Sequence, residues 1–277
     1  MSSEAPILDS SLGLVIKKVS CQRRIDLSQY NANFVRRRLN VRLRAKGLKD
    51  YLQYTSLLDK DPTEYNALFQ SLSINVTEFF RNKDVFDAFY NQILPKLLRA
   101  SRQDEIKIWS AGCATGEETY SIAMLLNQAS ESYGRFKFKI MATDVSNKAV
   151  ETAKKGTYAY SSLKSMPEKF LTKYFQQVSD GNYQLDKKII DSVIFNVGDI
   201  LTTLTPRSLD VIFCRNIVIY FDRKTQEQLF ARFAFSLKPS GYLILGKTEM
   251  IKDSAASLFE PEMPRERIYR KRIRITN

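Results

Sequence analysis

The chain has 277 residues, of which 26% are charged and 44% hydrophobic, and its formal net charge is +13. It is long enough for one large domain or for a small and a medium one, and its composition is typical of globular proteins that dissolve in water. The sequence contains no apolar run approaching about eighteen residues and no basic-then-apolar export signal, so we expect a cytoplasmic protein without membrane insertion.

Histidine is absent, and the three cysteines are far apart along the chain. Histidine is the usual general base near neutral pH and the commonest metal ligand, so we expect a chemistry that needs neither a histidine base nor a metal. The odd number and wide separation of the cysteines indicate reduced thiols rather than a disulfide framework.

Residues 22 to about 100 have helical periodicity, with Val35, Leu39 and Leu43 recurring every four residues. From residue 35 to residue 49 the chain carries seven basic residues and no acidic one. These residues are Arg36, Arg37, Arg38, Arg42, Arg44, Lys46 and Lys49. The run is either a solvated helix face or a docking surface for an acidic partner.

The segment 75–81 reads Asn-Val-Thr-Glu-Phe-Phe-Arg and precedes an apolar-periodic helix from about Asp84 to Arg99. Its apolar residues fit a core. Asn75, Thr77 and Arg81 alternate with them, so these three side chains could point together into a cleft between the helical domain and the sheet.

The stretch from Ile106 to Met124 predicts a strand, a tight turn with Gly112 and Gly116, and a helix. Thr115 and Glu118 have the spacing of a capping box. A glycine turn between a strand and a helix lets a ligand approach the backbone closely, as in nucleotide-binding sheets, although small glycine turns are also ordinary in α/β domains.

The charge of this turn narrows the choice of ligand. Glu117 and Glu118 lie where a diphosphate would need bare amides, so the ligand should carry positive charge. The glycine spacing matches neither a dinucleotide fingerprint nor a Walker loop. S-adenosylmethionine, a nucleoside with an ammonium, a sulfonium and no phosphate, fits both observations.

A second strand ends at Asp144, which either binds ribose hydroxyls or caps the helix that opens near Ser146. Beyond residue 156 the alternation of strands and helices breaks, and short β-prone pieces predict a small antiparallel insert at about 176–192. Further strands are predicted at 193–200 and at 241–246, and the alternating residues 267–273 predict a last strand near the sheet edge. The stretch from Leu209 to Asp222 predicts a buried strand that runs into a loop and then into a helix capped by Asp222.

Three segments together resemble the CheR family of chemotaxis receptor glutamate methyltransferases. The first runs from Trp109 to Ala123, the second from Asn75 to Arg81, and the third is Phe213-Cys-Arg-Asn-Ile-Val-Ile-Tyr-Phe-Asp222. The likeness extends from about residue 10 to the C-terminus. It implies a helical domain at 10–90, and at 91–277 a Rossmann-like class I methyltransferase domain with a mostly parallel seven-stranded sheet. Since chemoreceptor methylation regions resemble acidic helical bundles, we expect the basic run to dock the receptor through Arg36, Arg37, Arg38, Arg42 and Arg44.

The resemblance also implies functions for individual residues. The implied cofactor contacts are Asn75, Thr77, Arg81, Gly112, Glu117, Asp144, Asp199, Ile200, Asn216 and Ile217. Arg81 and Tyr220 are the candidate catalytic residues. Arg81 could hold the carboxylate of the cofactor or that of the acceptor, and Tyr220 is implied to lie beside the transferred methyl group, although a tyrosine in this position could also be a buried residue bonded to a backbone carbonyl.

The implied reaction is methyl transfer from S-adenosylmethionine to glutamates of the cytoplasmic methylation region of chemoreceptors, with S-adenosylhomocysteine as product. We expect a monomer that associates with receptor arrays. Two alternatives remain, an RNA or DNA methyltransferase suggested by the net charge of +13 and a non-catalytic module that binds S-adenosylmethionine. Nucleic acid is disfavoured, because the sequence has no aromatic and basic motif for base stacking.

Overall fold

The computed structural model describes residues 10–23, 26–72, 77–101 and 105–273. They form two compact units. The first consists of the described residues up to 72 together with Ile219–Gln226, and the second consists of the described residues from 77 to Val218 and from Glu227 onward.

The first unit is helical, as the sequence predicts. Its α-helices are α1 (Ser10–Arg23), α2 (Ala32–Ala45), α3 (Tyr51–Lys60) and α4 (Thr63–Leu72). Val35, Leu39 and Leu43, the predicted apolar stripe, are buried in the hydrophobic core of this unit. Asn31 caps α2, since its side-chain oxygen accepts hydrogen bonds from two amides of the first turn. The stripe and the cap together explain why this segment is helical.

The second unit contains a seven-stranded mixed sheet. Its strands are β1 (Ile106–Ala111), β2 (Phe138–Asp144), β6 (Val193–Val197), β7 (Leu209–Cys214), β8 (Leu237–Leu245), β9 (Phe259–Met263) and β10 (Ile268–Lys271), in the spatial order β6-β2-β1-β7-β8-β10-β9. The five strands from β6 to β8 are mutually parallel, and β10 pairs antiparallel with β8 and β9. This confirms the mostly parallel Rossmann-like sheet, and adds a strand, β9, that the sequence does not predict.

Helices connect and cover the strands of this unit. They are α5 (Lys83–Ala88) and α6 (Leu94–Ser101), joined by a π-helical turn at Phe89–Ile93, then α7 (Glu117–Ser132), α8 (Asn147–Lys155), α9 (Tyr160–Leu163), α10 (Glu168–Tyr174), α11 (Lys187–Asp191) and α12 (Arg223–Ser236), which begins in the first unit. Phe86 and Phe89 are buried in the same core as the strands of the sheet. The predicted boundary at residue 90, between a helical domain and a methyltransferase domain, stays a prediction.

A separate three-stranded antiparallel sheet forms the predicted insert. It consists of β3 (Thr157–Ala159), β4 (Phe175–Ser179) and β5 (Asn182–Leu185), with β5 in the middle. The turn at Asp180 and Gly181 joins β4 and β5, as the dipeptide predicts. Residues 187–191 are helical rather than extended, because Asp186 caps them by accepting a hydrogen bond from the amide of Lys188.

No helix in the described ranges is both long and apolar enough to cross a bilayer.

Candidate cofactor site

The predicted cofactor residues of the second unit follow the carboxyl ends of neighbouring parallel strands. Ala111 at the end of β1 is in register with Thr143 on β2, so Gly112 and Asp144 come next to each other at one edge of the sheet. Asn216 follows β7, the strand on the other side of β1. Open α/β sheets bind their ligands at this edge.

The glycine turn is as tight as the sequence predicts. Gly112 has a φ of 82°, and its amide donates a 2.7 Å hydrogen bond to the carbonyl of Thr143. A Cβ at this position would lie 2.0 Å from Cδ1 of Ile217. A side chain is therefore excluded for two reasons, the left-handed backbone and the close contact with Ile217.

The start of α7 differs from the predicted capping box. Gly116, with a φ of 96°, is the N-cap, and the Thr115 hydroxyl donates to Oε2 of Glu117 at 2.6 Å. The carboxylate of Glu118 accepts from Ser110 and pairs with Arg215 instead. The prediction was wrong because both buried partners of Glu118 come from strand ends that local spacing does not reveal.

Two predicted acidic residues lie buried beside this turn. Glu117 is 3% exposed and Asp144 is 7% exposed. Oδ2 of Asp144 accepts the amide of Ala114 in the turn at 2.8 Å, and Oδ1 accepts the amide of Ser146 at 2.9 Å. Burial raises the pKa of both carboxyl groups, and their hydrogen bonds only partly offset this effect. A ligand with hydroxyl or ammonium donors would stabilise their charged forms.

Asp199 and Ile200 lie just beyond β6, as predicted. Oδ1 of Asp199 accepts the amide of Leu201 at 2.8 Å. Its Oδ2 is buried and has no hydrogen-bond partner among the described residues. Burial raises the pKa of this carboxyl group. A buried acceptor without a partner is costly, so this atom fits a donor from a bound nucleoside.

The loop after β7 depends on a residue that the sequence analysis missed. Asn216 has a φ of 61°, in the left-handed region. The buried carboxylate of Glu249 accepts the amides of Asn216 at 2.8 Å, Val218 at 2.7 Å and Gly246 at 2.6 Å. A glutamate three residues after a glycine at a strand end could have indicated such an anchor.

The segment before α5 is described only in part. Asn75 lies outside the described residues, and Thr77 is half-buried. Phe79 and Phe80 are buried in the core, as expected for them. Arg81 is half-buried, and its carbonyl accepts a 2.7 Å hydrogen bond from Nη2 of Arg215.

Tyr220 and the basic run belong to the first unit. Tyr220 is half-buried, its ring centroid lies 4.7 Å from that of Phe34, and its carbonyl accepts the amide of Asn31. On α2, Arg42 is paired with Glu64, while the guanidinium of Arg38 lies over the ring of Phe34.

The remaining predicted docking residues form a surface. We use the name basic face of α2 for the residues that line its shallow depression, which are Asn33, Arg36, Arg37, Asn40, Val41 and Arg44. Val41, one of these residues, is 47% exposed. Three cations and an exposed apolar side chain on one face are the features that an acidic partner with some apolar surface would bind.

The arrangement in the second unit fits S-adenosylmethionine on its own geometry. The turn at Gly112 and Gly116 has no room for side chains, because Ile217 packs against the first glycine and Ala153, Tyr158 and Tyr120 pack against the second. Glu117, Asp144 and Asp199 supply buried acceptors for an ammonium and for hydroxyl or amino donors. In the described part of the chain, no group of three or more histidine, cysteine, aspartate or glutamate side chains is placed to hold a metal ion.

Comparison with known proteins agrees with this geometry. Two family models match, the all-alpha domain of CheR methyltransferases at residues 11–73 and their SAM binding domain at residues 75–266. A chemotaxis protein methyltransferase of Borreliella burgdorferi is 36% identical over 89% of this chain and 90% of its own length. One from Salmonella typhimurium is 34% identical over 90% of this chain and 86% of its own length.

Solved structures give a weaker likeness. An S-adenosylmethionine-dependent methyltransferase from Clostridium acetobutylicum aligns with a TM-score of 0.31 and 16% identity, over 58% of this chain and 49% of that protein.

Proposed function

We propose, since this chain belongs to the CheR methyltransferase family, that it methylates glutamate side chains of chemoreceptors and so forms glutamate methyl esters. The chain is an S-adenosylmethionine-dependent methyltransferase of chemotaxis. The observation that best supports the glutamate substrate is the absence of histidine. The cofactor site has buried carboxylates that can accept hydrogen bonds, but the chain has no histidine that could act as a general base.

A glutamate acceptor needs no general base. Its ordinary pKa of about 4.3 leaves it ionised at neutral pH, so a carboxylate oxygen can attack the methyl carbon directly. S-adenosylmethionine supplies an electrophilic methyl group, and the electron pair of its carbon–sulfur bond remains on sulfur. The protein must align the acceptor oxygen with that bond and exclude water from the carboxylate. No proton has to be removed.

Within the site, the carboxylates would hold the donor. Asp144 is suited to the ribose hydroxyls, Asp199 to a donor near the base, and Glu117 to the positively charged end. The unpartnered Oδ2 of Asp199 supports the second of these roles. Arg81 would hold a carboxylate of the donor or of the acceptor, and Tyr220 would orient the methyl donor or the acceptor.

Docking of the receptor is assigned to the basic face of α2. Chemoreceptor methylation regions are helical bundles rich in acidic residues, and the cations of Arg36, Arg37 and Arg44 would steer such a bundle by long-range attraction. Arg42 contributes less to this surface because Glu64 neutralises it. The enzyme would then work in the cytoplasm, beside receptor arrays.

The test is methyl transfer from labelled S-adenosylmethionine to a purified receptor cytoplasmic fragment. Label that is released as methanol by mild base identifies carboxyl methyl esters, whereas label on nitrogen resists this treatment. Parallel reactions with RNA and DNA test the alternative substrates. Base-stable label on the receptor, or transfer to nucleic acid alone, would refute the proposal.

A further inference from the structure

Arg215, the residue before the predicted cofactor contact Asn216, is an unusually buried cation. It is 6% exposed and directly follows the end of β7. Its guanidinium stands over the ring of Phe86, 5.3 Å from the centroid. Burial of an arginine is costly unless its hydrogen bonds are satisfied, so its partners reveal what the burial accomplishes.

Those partners come from two separate segments of the second unit. Nη2 donates to the carbonyl oxygen of Arg81 at 2.7 Å and to Oδ1 of Asn82 at 2.8 Å. Nη1 lies 3.3 Å from Oε2 of Glu118 at the start of α7. The two contacts to residues 81 and 82 are the shorter ones, so the guanidinium is directed chiefly toward that loop.

The loop around Arg81 needs such support. Phe80 has a φ of 54° and Asn82 a φ of 59°, so Arg81 lies between two non-glycine residues in the left-handed region. Such backbone persists only where the surroundings hold it in place. On one side, the amide of Phe80 donates to the buried Ser121 hydroxyl at 2.9 Å. On the other side, Arg215 supplies the bonds.

Glu118 completes the arrangement by orienting the guanidinium. Its Oε1 accepts from Ser110 at 3.0 Å, and its Oε2 faces Arg215. Desolvation lowers the pKa of Arg215, and the negative charge of Glu118 counteracts this. Glu118 therefore offsets part of the cost of burying the guanidinium charge, while Arg215 contacts the loop.

We propose that Arg215 is a positioning residue, which fixes the backbone of Arg81 and thereby the direction in which the Arg81 side chain enters the cofactor site. The inference rests on the proposed role of Arg81. A lysine could not replace it, because one nitrogen on a flexible stem cannot reach the Arg81 carbonyl, Asn82 and Glu118 in a planar fork.

The experiment is a double-mutant cycle with Arg215→Lys and Arg81→Ala. The substitution Arg215→Lys retains the buried positive charge. Affinity for S-adenosylhomocysteine is measured by calorimetry, and kcat and KM by methyl transfer. We expect Arg81→Ala to lower kcat/KM more than about tenfold and Arg215→Lys to lower it several-fold. The double variant should be within about twofold of Arg81→Ala alone, since coupled residues are not additive.

Glu118→Gln is the matched control, because it removes the charge near Arg215 but keeps a side-chain oxygen that can still accept from Nη1 and orient the guanidinium. It should cost less than Arg215→Lys. An equal loss would mean that Arg215 acts on α7 instead, and multiplicative losses in the double variant would mean that it acts independently of Arg81. Either result overturns the inference.

The two proposals fail in different ways. If Arg81→Ala binds and turns over like the wild type, the role of Arg81 in the proposed function is wrong, and the inference falls with it. If Arg81→Ala is impaired while Arg215→Lys is normal, only the inference is wrong. Should Arg215→Lys not fold, Arg215→Gln, which also lacks the fork, replaces it in the cycle.

Discussion

Arg42 on α2 and Glu64 on α4 form a two-point ion pair, in which Nε donates to Oε1 and Nη2 donates to Oε2, each at 2.8 Å. Glu64 is only 1% exposed, and it also accepts the hydroxyl of Tyr54 at 2.8 Å and faces the ammonium of Lys46 at 3.2 Å. Part of the basic run is thus committed to the interior of the helical unit.

We therefore predict that Glu64→Gln destabilises the helical unit by about 3 kcal/mol, the usual scale for breaking a buried pair from one side. Urea unfolding followed by circular dichroism measures this. Asp59→Asn is the control, since it breaks the pair of the exposed Asp59 with the half-buried Lys18 and should cost less than about 1 kcal/mol. Equal stability of Glu64→Gln and the wild type would show that the pair contributes nothing net.

The same pair predicts a pH dependence. Burial alone would raise the pKa of Glu64, but the hydrogen bonds from Arg42, Tyr54 and Lys46 outweigh it and leave the pKa below its ordinary value. A depressed carboxyl pKa contributes stability above the unfolded value of about 4.3, and this contribution is lost as the pH falls through the folded pKa. Between about pH 5 and about pH 3, the unfolding free energy of Glu64→Gln should therefore fall less than that of the wild type.

These contacts mark the limit of what the sequence predicts. The strand, turn and helix at 106–124 follow from local periodicity and two glycines, and the structure confirms them. Arg42, by contrast, reads as one more cation on a solvated face, because its partner is 22 positions away on another helix. The same holds for Glu118 and Glu249, whose structural roles depend mainly on hydrogen-bond partners that are distant in sequence. Residues that bond across elements leave no periodic signal.

Cofactor affinity should depend on Asp144. We predict that Asp144→Ala lowers the affinity for S-adenosylhomocysteine more than about tenfold, since it removes a charged acceptor. Asp144→Asn is the informative partner variant. Its amide oxygen can still accept from Ala114 and preserve the turn, so any loss it retains belongs to the ligand. Calorimetry that gives wild-type affinity for both variants would remove Asp144 from the site, and Glu117→Ala provides the same test for Glu117.

Affinity should also fall at acid pH. The pKa values of Glu117, Asp144 and Asp199 are raised, mainly by burial, so these groups bind protons at a higher pH than ordinary carboxyl groups. A ligand that donates to them requires the charged forms. Binding should therefore weaken as the pH falls toward the raised values, beginning above about 4 to 4.5, where exposed carboxyl groups titrate. An affinity that is constant down to pH of about 4 would contradict this assignment.

Tyr220 should affect turnover rather than binding. Because a glutamate acceptor is already ionised, we assign its hydroxyl no role in proton removal. Tyr220→Phe should lower kcat with little change in the affinity for S-adenosylhomocysteine, and the rate above neutral pH should stay flat in both proteins. A wild-type rate that rises toward the ordinary tyrosine pKa of about 10, and a variant that lacks the rise, would instead identify the hydroxyl as a base.

Docking on the basic face of α2 is tested by reversing the charges of Arg36, Arg37 and Arg44, which leaves the Arg42 pair intact. The Michaelis constant for the receptor should rise. Its dependence on salt concentration should become weaker, because the attraction between enzyme and receptor that salt screens beyond about 8 to 10 Å is already lost. Reversal of Arg135, Lys137 and Lys139 is the matched control. These exposed residues lie at or before the start of β2, at the opposite end of that strand from Asp144. Both variants should bind S-adenosylhomocysteine normally. If the two triple variants methylate the receptor equally across a salt series, net charge alone explains the attraction. The docking surface must then be sought in the three-stranded sheet of β3, β4 and β5.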